Sequence, residues 1–112
     1  MGFPAQVGAG VVNDPVGRTQ IEIDVVVLAT PQPGAPRRIL SLGQAKWGEV
    51  MRAGHLAQLA SARDLLARAG YDTRDTVLAF YSGSGFDADL VAAAAGNERV
   101  RLIGLDDLYQ IA

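Results

Sequence analysis

The stretch "IEIDVVVLA", residues Ile21–Ala29, decides the fold, because β-branched and aliphatic residues follow one another almost without interruption. A run of this length and composition predicts a central β-strand covered on both faces of its sheet. Its first half nevertheless carries two acids, Glu22 and Asp24. Acids inside an apolar strand need polar partners, and the neighbouring strand is the place where such partners can lie.

The segments on either side of Ile21–Ala29 predict two more strands. The strand-like "QVGAGVVN" comes first and ends in a turn at Asn13-Asp14-Pro15. On the other side, Thr30–Pro36 holds three of the five prolines and a glycine, which predicts a loop. Arg38–Trp47 is the next strand, so the two long strands form an antiparallel hairpin with a long tip.

The second half of the chain alternates helices and strands. A helix begins between Glu49 and His55 and ends at Ala69, with Gly70 as its C-cap. The remaining predicted elements are a buried strand at Asp75–Ser82, a turn at Gly83–Gly85, a helix at Asp87–Ala95, a short strand at Arg99–Leu105 and a helical turn over Asp106–Ala112. The order β, β, β, α, β, α, β predicts an α/β sandwich in which helices pack on a mixed sheet.

Composition excludes several classes of function. The 112 residues, 49% of them hydrophobic, are enough for one compact domain with its own core. Cysteine is absent, which excludes disulfides, zinc–thiolate sites and thiol nucleophiles. We expect a cytoplasmic protein with no membrane partner, because no apolar run approaches the roughly 20 residues of a membrane helix. The net charge of −2 argues against a broad basic face for DNA, although a metal ion and a local arginine cluster can supply positive charge where it is needed.

The segment "GQAKW", residues 43 to 47, supplies candidate partners for the two acids and contains the only lysine of the chain, Lys46. Since side chains alternate along a strand, Glu22, Asp24 and Val26 are predicted on one face of the sheet. Gln44 and Lys46 share a face of the neighbouring strand. If the hairpin brings these faces together, one patch holds carboxylates, an amide oxygen and an ammonium, the groups that metal-dependent phosphodiester hydrolysis requires.

The spacing of "IEID" and "GQAKW" resembles the PD-(D/E)xK nuclease superfamily. The segments "VGAGVVND", "EIDVVV", "AKWGE" and "IGLDDLY" also look like the C-terminal domain that follows the P-loop module in archaeal-type AAA ATPases of prokaryotes. The resemblance implies a restriction-endonuclease-like mixed β-sheet flanked by helices, with an αβββαβ core whose first helix is missing from this sequence. It also implies that residues 1–112 are a C-terminal fragment of a larger ATPase, accessory to the ATPase portion.

The resemblance implies a site built from Asp24, Gln44 and Lys46, in which Asp24, Gln44 and the backbone carbonyl of Ala45 bind Mg²⁺ or Mn²⁺. Position 44 is Gln where the commonest pattern has Glu, which removes a negative charge from the metal site and weakens Mg²⁺ binding. Mrr-type restriction enzymes look similar in using Gln-x-Lys. The expected activity is hydrolysis of DNA, with Glu22 as an auxiliary acid. The chain has no G-x-x-x-x-G-K-[ST] loop, so it does not hydrolyse ATP itself.

A rival interpretation keeps the fold but makes the domain a catalytically inactive regulatory or protein-interaction module. In that case Asp24 forms a buried ion pair with Lys46 or Arg18, and no metal binds. The position of the arginines distinguishes the two interpretations, because a nucleic-acid channel would gather several of them around Asp24. The arginines in question are Arg18, Arg37, Arg38 and Arg52.

Three further residues have two interpretations each. Gln58 on the first helix is a second auxiliary residue if it faces the site, whereas a surface position is the alternative for it and for His55. Trp47 either stacks on a base or sugar or packs at the end of its strand. An exposed sheet edge would also allow the chain to form a homodimer.

Overall fold

The computed structural model describes residues 5–14, 19–105 and 107, and the side chains from Gly8 onward within those ranges. Arg18, the residues of the first predicted turn beyond Asp14, and the predicted C-terminal helical turn apart from Asp107 lie outside the described residues. The secondary structure follows the predicted order. Its elements are β1 (Ala5–Asp14), β2 (Thr19–Ala29), β3 (Ile39–Lys46), α1 (Ala53–Arg68), β4 (Val77–Ser82), α2 (Ala88–Ala95) and β5 (Val100–Gly104).

The five strands form one mixed sheet in the order β1-β2-β3-β4-β5. The pairs β1–β2 and β2–β3 are antiparallel, and β3–β4 and β4–β5 are parallel. Parallel neighbours need a crossover connection, which α1 and α2 provide. The predicted mixed α/β sheet flanked by helices is confirmed, and it is consistent with a restriction-endonuclease-like fold.

Both helices pack on the sheet and cover the core. Helix α1 contacts strands β1 to β4 and lies beside α2, which packs on β5. Helix α1 begins where His55 Nδ1 accepts a hydrogen bond from Arg52 N at 2.9 Å, and it ends before Gly70, whose φ of 107° only glycine adopts without strain. His55 therefore has a structural role at the helix start. The largest fully buried apolar side chains are Phe80, Leu42, Met51, Leu59, Leu78 and Leu90.

Strand β2 contains a β-bulge at Asp24 and Val25. Gly8 pairs with Val26 and Gly10 pairs with Ile23, so Ala9 alone lies opposite the two residues between them. The extra residue reverses the alternation: Ile23 is buried before the bulge, and Val26 packs against the same core after it. The prediction that Asp24 and Val26 share a face is therefore wrong.

The prediction that β2 is covered on both faces is also wrong for its first half. Ile21 and Ile23 are buried, each 2% exposed, whereas Glu22 and Asp24 between them are exposed. The apolar run that suggested full burial lies beyond the bulge, where Val25 to Ala29 are half-buried. This half-open strand leaves both acids accessible.

Candidate functional site

Strands β2 and β3 separate from each other at one end, and we call the gap between residues 22–24 and residues 44–46 the fork. Their pairing runs from Leu28↔Ile39 to Val25↔Gly43 and stops there. Beyond that point β2 continues to Thr19 paired with β1 alone, and β3 continues to Lys46 paired with β4 alone. The edges of the two strands that face the fork therefore have no ladder partner.

Asp24 lies at the base of the fork. Its Oδ2 accepts a hydrogen bond from Ala45 N at 2.8 Å, which takes the place of the next rung of the ladder. Its Oδ1 has no hydrogen-bond partner among the described residues. In an extended strand the N–H and C=O of one residue lie on the same edge, so the carbonyl of Ala45 also faces the fork.

Gln44 is 5% exposed and fixed by two hydrogen bonds from its amide nitrogen. Nε2 donates to the carbonyl of Glu22 at 3.2 Å and to Gln58 Oε1 at 3.4 Å. Because the Glu22 carbonyl can only accept, this contact decides which end of the amide is nitrogen. The other end, Oε1, is buried and has no hydrogen-bond partner among the described residues. A buried oxygen of this kind costs about 1–3 kcal/mol unless a water or a cation satisfies it.

Lys46 ends β3 on the same strand face as Gln44. Its Nζ lies 4.0 Å from Glu49 Oε1, and both side chains are substantially exposed, so this pair contributes at most about 1 kcal/mol. The ion pair between Lys46 and Asp24 that the rival interpretation allows is not present among the described residues. Arg18, its other possible partner, lies outside them, and Asp24 is not buried. Lys46 thus remains able to contact a ligand.

An open cavity of about 700 Å³ occupies the fork. It includes every residue of the predicted site and adds four polar residues from the β1–β2 hairpin. The lining residues are Asn13, Asp14, Thr19, Gln20, Glu22, Asp24, Gln44, Ala45, Lys46 and Gln58. Sequence reasoning missed Asp14 because Asn-Asp-Pro was interpreted as a turn, although its pairing with Thr19 places it at this end of the sheet.

Among the described residues that line the cavity, Asp14, Glu22 and Asp24 carry carboxylates and Lys46 carries an ammonium. No arginine of the described residues lines the cavity.

Three arginines that could line a nucleic-acid channel, Arg37, Arg38 and Arg52, are described, and they lie away from the fork. The Nε of Arg37 donates to the carbonyl of Ala29 at 2.7 Å, at the opposite end of β2 from the fork. Arg38 lines a separate cavity with Asp72 and Arg74, and Arg52 precedes α1. Within residues 19–105, these arginines are therefore dispersed and do not gather around Asp24, which favours the rival interpretation.

The fork offers hard oxygen donors of the kind that Mg²⁺ or Mn²⁺ prefers. They are the free carboxylate oxygen of Asp24, the unpartnered Oε1 of Gln44 and the carbonyl of Ala45. The described residues contain no group of three His, Cys, Asp or Glu side chains able to hold a metal. The donor set is thus one carboxylate, one amide oxygen and one backbone carbonyl, and Mg²⁺ accepts such oxygen ligands when waters complete its coordination.

Two further observations concern residues outside the fork. The predicted turn at Gly83–Gly85 is confirmed, since Ser82 Oγ accepts hydrogen bonds from the backbone nitrogens of Ser84 and Gly85. Among the described helices, none is long and apolar enough to cross a membrane.

Comparison with known proteins supports the fold and nothing further. No family model matches the chain, and no curated protein matches it. Among solved structures, the chain is similar to the crystal structure of AF1548, a protein of unknown function, with a TM-score of 0.55 and 12% sequence identity. The likeness covers 89% of this chain and 49% of that protein, so this chain spans about half of its length.

Proposed function

We propose that the fork is the active site of a PD-(D/E)xK-like nuclease domain that hydrolyses DNA phosphodiesters with a divalent cation. The observation that carries the proposal is the buried Oε1 of Gln44, which has no partner among the described residues, in the same cavity as the carboxylate of Asp24 and at a place where two strands separate. The predicted residue types and the open edges of β2 and β3 therefore meet in one cavity.

Each residue of the fork has a separate task in this proposal. Asp24 Oδ1, Gln44 Oε1 and the Ala45 carbonyl hold Mg²⁺ or Mn²⁺, which when bound lowers the pKa of water and offsets negative charge on the phosphate. Lys46 stabilises the additional charge that develops on the phosphate oxygens. Gln58 fixes the amide of Gln44 through its 3.4 Å contact, and Glu22 is the auxiliary acid on the cavity wall.

An accessory role beside an ATPase is part of the proposal and is supported only by the resemblance of "EIDVVV", "AKWGE" and "IGLDDLY" to domains that follow a P-loop module. If it is correct, ATPase activity should co-purify with a tagged form of this chain from its own cells. A preparation free of ATPase activity would contradict this part and leave the site proposal intact.

The experiment that tests the site is DNA cleavage by the wild type and by Asp24→Asn in Mg²⁺ or Mn²⁺. Asparagine keeps an oxygen that can accept the hydrogen bond from Ala45 N but removes the charge that holds the cation. We expect wild-type cleavage that EDTA stops, and at least a hundredfold loss in the variant, equivalent to about 2.7 kcal/mol. The exposed Asp64, paired with Arg63 on α1, supplies the matched control Asp64→Asn, which should cleave normally.

Lys46→Ala should also abolish cleavage while the cation still binds. Cleavage by Asp24→Asn at the wild-type rate would remove the site assignment. Loss of cleavage in Asp64→Asn to the same extent would point to a general loss of folding and not to the chemistry of the fork.

The second candidate function is a regulatory or protein-interaction module, and the carboxylates of Glu22 and Asp24 on the cavity wall favour it. Without a bound cation, these two carboxylates repel a phosphate backbone and attract a basic segment of a partner protein. This candidate predicts no binding of Mn²⁺ in calorimetry, and saturable binding of oligolysine that Asp24→Asn weakens.

A further inference from the structure

Trp47, the only tryptophan of the chain, is 55% exposed directly after Lys46 at the end of β3. An exposed aromatic ring indicates a binding surface when contacts with the rest of the protein fix its position. Tyr71, the other aromatic residue among the exposed large hydrophobic residues of the described chain, is 38% exposed and lies far from Lys46 in sequence, just after α1.

The loop after β4 fixes the backbone of Trp47. Gly83 N donates to the carbonyl of Lys46 at 3.0 Å, and Ser84 Oγ donates to the carbonyl of Trp47 at 3.0 Å. The loop itself is held by Ser82 Oγ, which donates to the carbonyl of Gly85 at 2.8 Å. The backbone that carries the exposed ring is therefore ordered before any ligand binds, which lowers the entropy cost of binding.

The ring of Trp47 rests on Gly83. A Cβ at position 83 would lie 3.0 Å from ring atom Cε3 and 3.0 Å from the carbonyl oxygen of Trp47, which is tighter than nine in ten real Cβ contacts. Glycine at this position thus allows the ring to lie against the loop while more than half of the residue stays open to solvent. The arrangement is a supported aromatic platform.

The platform lies at the carboxyl ends of the parallel strands. Lys46 of β3 is in register with Ser82 of β4, and Ser82 is in register with Gly104 of β5. A second cavity, of about 570 Å³, is lined by Ser82, Gly83 and Gly104. Ligands of open α/β sheets bind outside these strand ends, and Trp47 lies between Lys46 of the fork and Gly83 of the second cavity.

We infer that Trp47 stacks on a nucleobase of a single DNA strand, or of a frayed duplex end, whose phosphodiester lies at the fork. Every base has a π-face, so such a platform accepts any sequence. A base inside a duplex has both faces covered by its neighbours, so only an unpaired base can use the ring. This inference rests on the proposed function and specifies its substrate class.

The test is a titration of the whole chain with a short single-stranded oligothymidylate in Mg²⁺ and again in EDTA, followed by the fluorescence of Trp47. No other tryptophan contributes to the signal. We expect saturable quenching of Trp47 by the single strand in Mg²⁺. A blunt-ended duplex of the same length should quench it much more weakly. In anisotropy with a labelled oligothymidylate, Trp47→Ala should weaken binding about tenfold or more.

Three variants separate stacking from a loss of folding. Trp47→Phe keeps an aromatic ring and should bind within about threefold of the wild type, since part of the stacking surface remains. Gly83→Ala keeps the tryptophan but pushes it off its support, so it should bind weakly with an altered emission spectrum. Tyr71→Ala removes an exposed aromatic residue away from the strand ends and should leave binding unchanged.

The inference is overturned if Trp47→Ala binds the oligothymidylate as tightly as the wild type, or if the duplex quenches as strongly as the single strand. It is also overturned if trilysine quenches Trp47 and the oligonucleotide does not, because the ring would then serve a cationic partner. Quenching by the single strand without any wild-type cleavage would keep the platform and reject the nuclease. Cleavage that depends on Asp24 but not on Trp47 would keep the nuclease and reject the platform.

Discussion

The two ends of the β2–β3 hairpin differ in how completely their polar groups are paired. At the closed end, which we define as residues 28–29, 37–39 and 72–76, Ala29 N donates to Arg38 O at 2.9 Å and Ile39 N donates to Asp72 O at 3.0 Å. At the fork, the ladder has stopped, and Gln44 Oε1 is buried without a partner among the described residues. The same two strands thus stabilise the fold at one end and leave donor oxygens for a ligand at the other.

The comparison shows why a buried polar residue has a different meaning at each end. Thr76 is 1% exposed at the closed end, and its Oγ1 donates to the carbonyl of Ile39 at 2.7 Å. Gln44 is buried to a similar degree at the fork, but one of its two polar atoms is unsatisfied. A satisfied group rigidifies the structure, whereas an unsatisfied one points to a missing partner.

The largest effect is expected for the cation at the fork. Asp24→Asn should abolish the heat of Mn²⁺ binding in titration calorimetry while the free energy of unfolding stays near that of the wild type, since the amide oxygen replaces Oδ2 as acceptor. Asp24→Ala should lose Mn²⁺ binding and about 1 kcal/mol of stability as well, because Ala45 N is left unpaired. Equal Mn²⁺ binding by wild type and Asp24→Asn would show that the fork, like the closed end of the hairpin, does not bind a cation through Asp24.

Gln44→Glu adds a negative charge at the fork, whereas Asp24→Asn removes one. A second carboxylate among the proposed cation ligands, beside Asp24, should tighten Mn²⁺ binding, and in metal-free buffer the buried charge should lower the free energy of unfolding by about 2 kcal/mol. Thermal unfolding with and without Mn²⁺ measures both effects, and the metal should restore the lost stability. Gln58→Glu is the control, because its added charge is exposed and should cost little stability.

At the closed end, Thr76→Val should lower the free energy of unfolding by about 1–2 kcal/mol, because the buried carbonyl of Ile39 loses its hydrogen bond from Oγ1. Urea unfolding measures the change, and calorimetry should give unaltered Mn²⁺ binding. The same substitution at the exposed Thr19 on the wall of the fork should change stability by less than about 0.5 kcal/mol. Comparable losses at both threonines would mean that the two ends do not differ.

The smallest effect concerns the ion pair of the closed end. The side-chain hydrogen bond from Arg74, with its backbone N–H and its charge, holds the pKa of Asp72 below the ordinary value of 3.8. A lowered pKa in the folded state adds stability that is present above 3.8 and disappears as the pH falls through the folded-state pKa. Asp72→Asn should therefore be slightly less stable than the wild type at neutral pH.

Urea unfolding of wild type and Asp72→Asn at several pH values measures this difference. The two proteins should converge in stability only below pH 3.8, where Asp72 of the wild type becomes protonated. A difference that persists unchanged into strong acid would show that Asp72 acts through packing and not through its charge.

The secondary structure could be predicted because its signals are local. Hydrophobic periodicity, the prolines of Thr30–Pro36 and the glycine after α1 each act within a few residues of the chain. Residue types typical of a metal site, Asp24 with Gln44 and Lys46, were equally visible. The amino-acid sequence alone thus determines the order of the elements and the residue types of the candidate site.

The arrangement of the site depends on contacts between distant residues. The hydrogen bond from Ala45 to Asp24 spans 21 positions, and the one from Gln44 to the Glu22 carbonyl spans 22. The bulge that places Asp24 at the fork comes from the register with β1, which strand alternation within β2 cannot reveal. Only the tertiary structure decides that Asp24 is open, that Gln44 is buried with one oxygen unpaired, and that the support of Trp47 is Gly83, because each depends on how separate strands pack.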